Sequence, residues 1–293
     1  MRGLEEVCKT ACVILNYNSA SETGKLVNAI QNYKNIDYIV VVDNNSTDKS
    51  SKLLASTNRW NDKVYFLQSE TNLGYAGGNN YGANFAVNEL DADYVIIANP
   101  DVMFGNEYVV DVLRIMKNNS KIIVASAIAH DINDTISYCC YWKLPSYKDY
   151  IRKFFPHYNR WHEKKLLKKQ CEVKKEFVIV DAVSGACFIA DKILFKEFNG
   201  INEDTFLYCE ESILGAKIKK NGYCEAVSYL TYYNHNHVYK NESNEKKLAQ
   251  YIIMNKSRRY YLKEIIKTPT LGLLVFDFFV SLSVFIRKRV WKL

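Results

Sequence analysis

The sequence predicts an α/β fold built on an open, mostly parallel sheet flanked by helices, and three observations carry that expectation. Strand-like apolar runs alternate with helical periodicities four times within the first hundred residues. Such alternation implies parallel neighbours joined by right-handed crossovers. The run Tyr94-Val-Ile-Ile-Ala98 is unbroken and apolar, as a strand buried on both faces requires. Finally, polar residues recur where these strands end, at Asn16 and Asn18, Asp43, Asn72, and then Asn99 and Asp101. In an open α/β sheet that edge is where ligands bind.

Taken in order, Ala11–Leu15 reads as a buried strand and Ser19–Asn32 as a helix through Leu26, Val27 and Ile30. Tyr38–Val42 is the second strand, ending at Asp43, and Ser46 or Thr47 is a natural N-cap for a helix reaching about Ser56. Val64–Leu67 is the third strand, 76–90 a helix and Tyr94–Ala98 the fourth strand, which Pro100 stops because proline cannot donate to a ladder. A helix over 105–116 and a strand over 121–127 follow. Within Asn72-Leu-Gly74-Tyr-Ala-Gly-Gly78-Asn79-Asn80, glycines sit at a helix start, where backbone can approach a ligand closely and the helix terminus favours anions. Their spacing fits neither the dinucleotide fingerprint nor the P-loop.

At 293 residues, 48% of them hydrophobic, the chain is long enough for one large domain with an appendage. The start, Met-Arg-Gly-Leu-Glu-Glu, lacks the apolar core of a signal peptide, so a cytoplasmic location is expected. The eight cysteines show no metal-ligand spacing and are expected to be reduced and mostly buried. The net charge of +7 is concentrated: Lys143–Lys175 holds 11 Lys and Arg against 3 Asp and Glu, a local +8, leaving about −1 for the remainder. Nucleic acid or an anionic membrane surface would match such a segment. The interleaved Trp142, Tyr147, Phe154, Phe155 and Trp161 favour a membrane interface or an anionic acceptor, and no nucleic-acid partner is expected.

The runs Val-Val-Asp43-Asn-Asn-Ser-Thr-Asp48, Asn72–Asn80 and Asn99-Pro-Asp101-Val together resemble family 2 glycosyltransferases, in the rhamnosyltransferase-like branch of bacterial surface-polysaccharide synthesis. The resemblance implies a GT-A type fold with a catalytic domain over 1–240. Residues 1–104 would be its nucleotide-binding half, and 105–240 an acceptor half carrying the basic aromatic insertion 141–175. It further implies a nucleotide-diphosphate sugar bound by Asn16, Asn18, Asp43, Asn72, Gly74, Gly78, Asn79 and Asn99. Asn99-Pro-Asp101 stands where the family has its Asp-x-Asp motif, with one carboxylate replaced, and Asp101 would hold Mg²⁺ or Mn²⁺. Ser184-Gly-Ala186, the turn Asn199–Glu203 and the acidic pair Glu210-Glu211 resemble the acceptor half. The usual pair is Glu-Asp with the second member the base, which points to Glu211; Ile213 replaces a later acidic residue, and the choice between Glu211 and Glu210 stays open. A histidine is expected to reach the diphosphate or metal; His237 is assigned beside Asp101, with His235 the other candidate.

Residues 247–266 are helical by period. After Pro269, Leu271–Ile286 is apolar over only 16 residues, short of the ~20 needed to span a bilayer, and Asp277, Ser281 and Lys288 share a face. The extension 241–293 is therefore expected to be helical and peripheral on the inner face of the cell membrane, its last helix in plane, or to pack on a partner subunit in a homo-oligomer. The implied reaction is inverting transfer, with rhamnose from dTDP-rhamnose the first expectation and a UDP-hexose, galactose or glucose, the next. The acceptor would be a lipid-diphosphate-linked oligosaccharide. A nucleotidyltransferase would share the nucleotide half but bring a lysine-bearing glycine loop near the N-terminus, which this chain lacks. A non-catalytic nucleotide-binding membrane scaffold is the remaining alternative, to which Asn99 and Ile213 would point.

Overall fold

The computed structural model describes every residue except 1–7, 58–59, 132–134, 138–139, 156–164, 166–172, 237–241 and 293. The first hundred residues build what their pattern predicts. Strands β1 (Thr10–Asn16), β2 (Tyr38–Asp43), β3 (Val64–Gln68) and β4 (Tyr94–Ala98) pair in parallel in the order β3-β2-β1-β4. Helices α1 (Ala20–Ile30), α2 (Ser50–Ala55) and α3 (Gly74–Asn88) are the crossovers. Val95–Ile97 and Ala11–Ile14 are wholly buried, because helices cover both faces of a parallel sheet.

The second half extends the same sheet. After the short β5 (Val102–Phe104) and α4 (Asn106–Lys117) come β6 (Ile122–His130), β7 (Tyr141–Trp142) and α5 (Tyr147–Arg152). The stretch 178–190, continuous in the sequence, is divided into β8 (Phe177–Val180), β9 (Ala182–Val183) and β10 (Cys187–Asp191). Strand β9 pairs with β7 in a separate two-stranded sheet, while β10 runs antiparallel between β4 and β6. Then follow α6 (Ile193–Lys196), α7 (Glu210–Lys220) and β11 (Cys224–His235). Strand β11 lies parallel to β6 and antiparallel to β5 and β8.

The C-terminal extension comprises α8 (Asn244–Tyr260), a π-helical turn (Tyr261–Ile265) and α9 (Thr270–Trp291). That last helix has 22 residues, longer than the apolar run, because Arg287–Arg289 continue it. By length and composition it could cross a membrane, with a mean hydropathy of 1.8. Two hydrophobic clusters result. The larger spans the sheet, and a second unites Tyr150, Ile213, Tyr261, Leu262, Leu273 and Phe276. The extension thus shares a core with α7. All six described cysteines are free thiols, and Cys12, Cys140 and Cys187 are buried.

Candidate active site

At the carboxyl ends of β1 and β2, Asp43 is fully buried and accepts hydrogen bonds from Asn16 Nδ2 (2.8 Å), Ser46 N (3.0 Å) and Ser46 Oγ (2.7 Å). Ser46 is therefore a brace between Asn16 and Asp43 rather than a helix cap. Helix α2 begins later, at Ser50, whose amide is accepted by Asp48. Asn18 adopts φ 54°, and its Oδ1 accepts from the amides of Thr47 and Asp48. Asn44 donates to Asn72 Oδ1 and to the Gly74 carbonyl, and accepts from Leu73 N. These bonds fix the strand ends before any ligand arrives, and buried polar groups of this kind are stable only when so partnered.

The glycine run divides into distinct tasks. Gly74, at φ 71°, lies against the Phe206 carbonyl, where a Cβ would approach to 2.4 Å. At Gly78 a Cβ would come within 2.4 Å of Leu15, so its missing side chain serves the packing of α3 on β1. Asn79 is buried and donates within the helix to Tyr75 O. Its neighbour Asn80 instead holds the turn Asn199–Glu203, donating to Ile201 O and Glu203 Oε1 and accepting from Ile201 N.

The acidic pair opens α7. Glu210 is buried and its Oε1 has no partner among the described residues, while Glu211 is half-buried and its Oε1 accepts from Gly185 N (3.3 Å). Burial, and secondly the neighbouring Glu211 charge, push the Glu210 carboxyl up to about 8. Burial raises Glu211 too, opposed by its own amide and that of Gly185. Both carboxyls are thus held above the usual range by burial, and the two sites titrate as a coupled pair. Tyr75 OH donates to the Gly185 carbonyl (2.5 Å), and burial beside Glu211 keeps that phenol protonated. Behind the segment, Glu225 is buried and accepts from Val183 N, and burial raises its carboxyl well above the usual range.

Two contacts link this pair to the end of β4. Asn99 N donates to Ala186 O (2.8 Å), adjacent to the Gly185 amide that Glu211 accepts. Two residues on, Asp101 Oδ1 lies 3.4 Å from His235 Nε2, and the Asp101 carbonyl accepts from Asn236 N. His237 lies outside the described residues, so the histidine seen beside Asp101 is His235. A carboxylate oxygen and an imidazole nitrogen this close suit Mn²⁺ or Mg²⁺, whose other positions are commonly filled by phosphate oxygens and water. Among the described residues no group of three His, Cys, Asp or Glu surrounds such a point.

The sequence reading missed Asn44, Tyr75, Asn80 and Gly185. A tyrosine on an apolar helix reads as core, and nothing local marks Asn80 rather than Asn79 as the residue that clamps the turn Asn199–Glu203. A cleft of about 290 Å³ between α1 and α2 contains none of these residues, so the site is assigned by chemistry and not by shape.

Among known proteins, the hexosyltransferase Agl10 of low-salt glycan biosynthesis in Haloferax volcanii is 24% identical over 199 residues, covering 68% of this chain and 58% of that protein. The chain thus spans little more than half the length of that curated relative. The mannosyltransferase PcManGT from Pyrobaculum calidifontis, solved with GDP-Man and Mn²⁺, has a TM-score of 0.59 at 13% identity, over 94% of this chain and 70% of its own. S. aureus TarS 1-349, solved with UDP-GlcNAc, has a TM-score of 0.55 at 16% identity, over 96% and 72%. At such identities these structures show a shared fold. The profile of glycosyl transferase family 2 matches residues 11–171, more than half of the chain, and the protein belongs to that family.

Proposed function

We propose that the protein is an inverting hexosyltransferase that moves a sugar from a nucleotide-diphosphate donor to an acceptor hydroxyl. The observation that carries this reading is the approach of Glu211 to the Asn99–Asp101 strand end through Gly185 and Ala186. A general base is thereby brought towards the edge where a diphosphate would lie. The braced Asn16–Asp43–Ser46 and Asn44–Asn72–Gly74 groups would receive the nucleoside. Asp101 and His235 would hold Mn²⁺ or Mg²⁺, which when bound supplies positive charge against the leaving diphosphate.

In the transfer, the acceptor oxygen forms its bond to the anomeric carbon on the face opposite the diphosphate. The anomeric carbon–oxygen bond breaks, and the acceptor proton passes to Glu211. Tyr75 and Gly185 keep that carboxylate in place. Glu210, whose carboxyl burial pushes up to about 8, sits beside it. Rhamnose from dTDP-rhamnose remains the first donor to try and a UDP-hexose the second, with a lipid-diphosphate-linked oligosaccharide as acceptor. These finer choices rest on the family resemblance.

The test is a donor panel, dTDP-rhamnose, UDP-galactose, UDP-glucose and GDP-mannose, assayed for nucleotide release with Mn²⁺ for the parent and for Glu211→Gln. A positioned base contributes ~10²–10⁴-fold, so the variant should lose that factor with donor binding retained. Binding without turnover in the parent would favour the scaffold reading instead.

A further inference from the structure

Residues 147–155 of the basic insertion and the C-terminal helix, separate in sequence, form one surface. Phe154 stacks on Phe279 and meets Phe276 edge-on, Phe155 packs against Phe279, and Tyr147 OH donates to the Gly272 carbonyl. The inner side of α9 is fastened to the protein. Leu273 and Phe276 are buried, Asp277 accepts both oxygens' worth of bonding from Arg259 Nε, Tyr251 OH donates to Ser283, and Arg287 lies over the Tyr251 ring.

The outer side is apolar and bare. Leu271, Leu274, Phe278, Leu282 and Phe285 follow at steps of three and four, so they form one stripe. Leu271 is 74% and Phe278 63% exposed, and Phe155 beside them is exposed as well. A contiguous apolar stripe of this length marks an interaction surface. Exposed Arg152, Lys153, Lys288 and Arg289 flank it.

Charge decides what covers it. Residues 241–293 hold 11 Lys and Arg against 4 Asp and Glu, a net +7. With the +8 of 143–175, these two segments carry +15, and the rest of the chain −8. A second copy would set like charge against like, whereas an anionic bilayer satisfies both the stripe and the lysines and arginines. Spanning the bilayer would strip Asp277 and Ser283 of their partners on α8, or draw the basic α8 into hydrocarbon. We propose that the outer face of α9, together with Phe155, docks in plane on an anionic membrane surface. The proposal stands on exposure, packing and charge, and does not depend on which sugar is transferred.

The full-length protein is floated with phosphatidylglycerol–phosphatidylcholine vesicles, with pure phosphatidylcholine vesicles, and without lipid. The anionic vesicles should capture at least about 10-fold more protein than the neutral ones, and added salt should release it. Phe278→Glu should weaken capture by about 10-fold or more with the melting temperature unchanged, since the side chain is exposed. Lys288→Glu combined with Arg289→Glu should do the same, and alkaline carbonate should extract the bound protein. No capture by anionic vesicles, or equal salt-insensitive capture by both lipids, overturns the proposal. Carbonate resistance overturns it in favour of a spanning helix. A lipid-independent dimer that Phe278→Glu dissociates overturns it in favour of a second copy.

Discussion

Replacing Glu210 by glutamine should make the protein more stable as the pH rises, without removing its base. The carboxyl is buried with one oxygen unpartnered, and its pKa is raised from 4.5 to about 8. A group whose folded-state pKa is raised contributes fully below its unfolded value and loses that contribution as pH climbs through the folded one. Between about pH 4.5 and 8 the parent therefore gives up stability at this site, because unfolding lets the acid ionise. At ~1.4 kcal/mol per pH unit the whole rise corresponds to roughly 5 kcal/mol, an upper bound reached only above pH 8. Even about 2 kcal/mol would move the melting temperature by ~4–8 °C in a chain of this size. Glutamine has the shape of the neutral acid and does not titrate, so any fixed penalty for its amide is the same at every pH. Thermal melts of parent and Glu210→Gln at pH 5 and pH 8 should show the gap between them shifting in the variant's favour at pH 8. Turnover at pH 7 should stay within about 10-fold of the parent, because the proposed base is Glu211. A gap that does not change with pH, or a turnover loss as deep as that of Glu211→Gln, would refute the assignment of charges within this pair.

Three further outcomes follow from the geometry. Gly74→Ala forces a left-handed residue costing ~1–2 kcal/mol and drives a methyl into the Phe206 carbonyl, so denaturant unfolding should register a loss of at least about 2 kcal/mol. Asp101→Asn and His235→Gln should each raise the Mn²⁺ concentration for half-maximal turnover by about 10-fold or more while leaving the melting temperature alone; an unchanged requirement would remove the pair from metal binding. Phe276→Ala should destabilise by ~3–5 kcal/mol in one cooperative transition, since Phe276 is 1% exposed and shares a cluster with Ile213; two separate transitions would detach the extension from the catalytic domain.

The first hundred residues were legible because their signals are local. An apolar run, a polar strand end and a helix with period 3.6 specify β1 to β4 and place Asn16, Asp43 and Asp101 at one edge. What escaped the sequence depends on long-range pairing. Nothing in Val178–Ala190 announces that the chain leaves the sheet at Asp181, joins β7 through two residues, and returns as an antiparallel β10. Nor could periodicity show which side of α9 is covered. Asp277 reads as part of a solvent-facing polar face, yet its partner Arg259 sits 18 residues earlier on the helix that α9 packs against. The acidic pair was visible, but its surroundings were not, because the Gly185 amide that Glu211 accepts is supplied from across the fold.

Strand β10 has one more consequence. It lies far along the chain from β4, yet all five of its residues pair with Tyr94–Ala98. The first four strands and the later ones thus share one ladder. A gene fragment ending at residue 104 would leave β4, apolar on both faces, as an unprotected edge that invites aggregation. The segment 204–209, held by Tyr75 N on its Phe206 carbonyl and by Ser257 on its Leu207 carbonyl, ends in the left-handed pair Tyr208 and Cys209 just before the acidic residues.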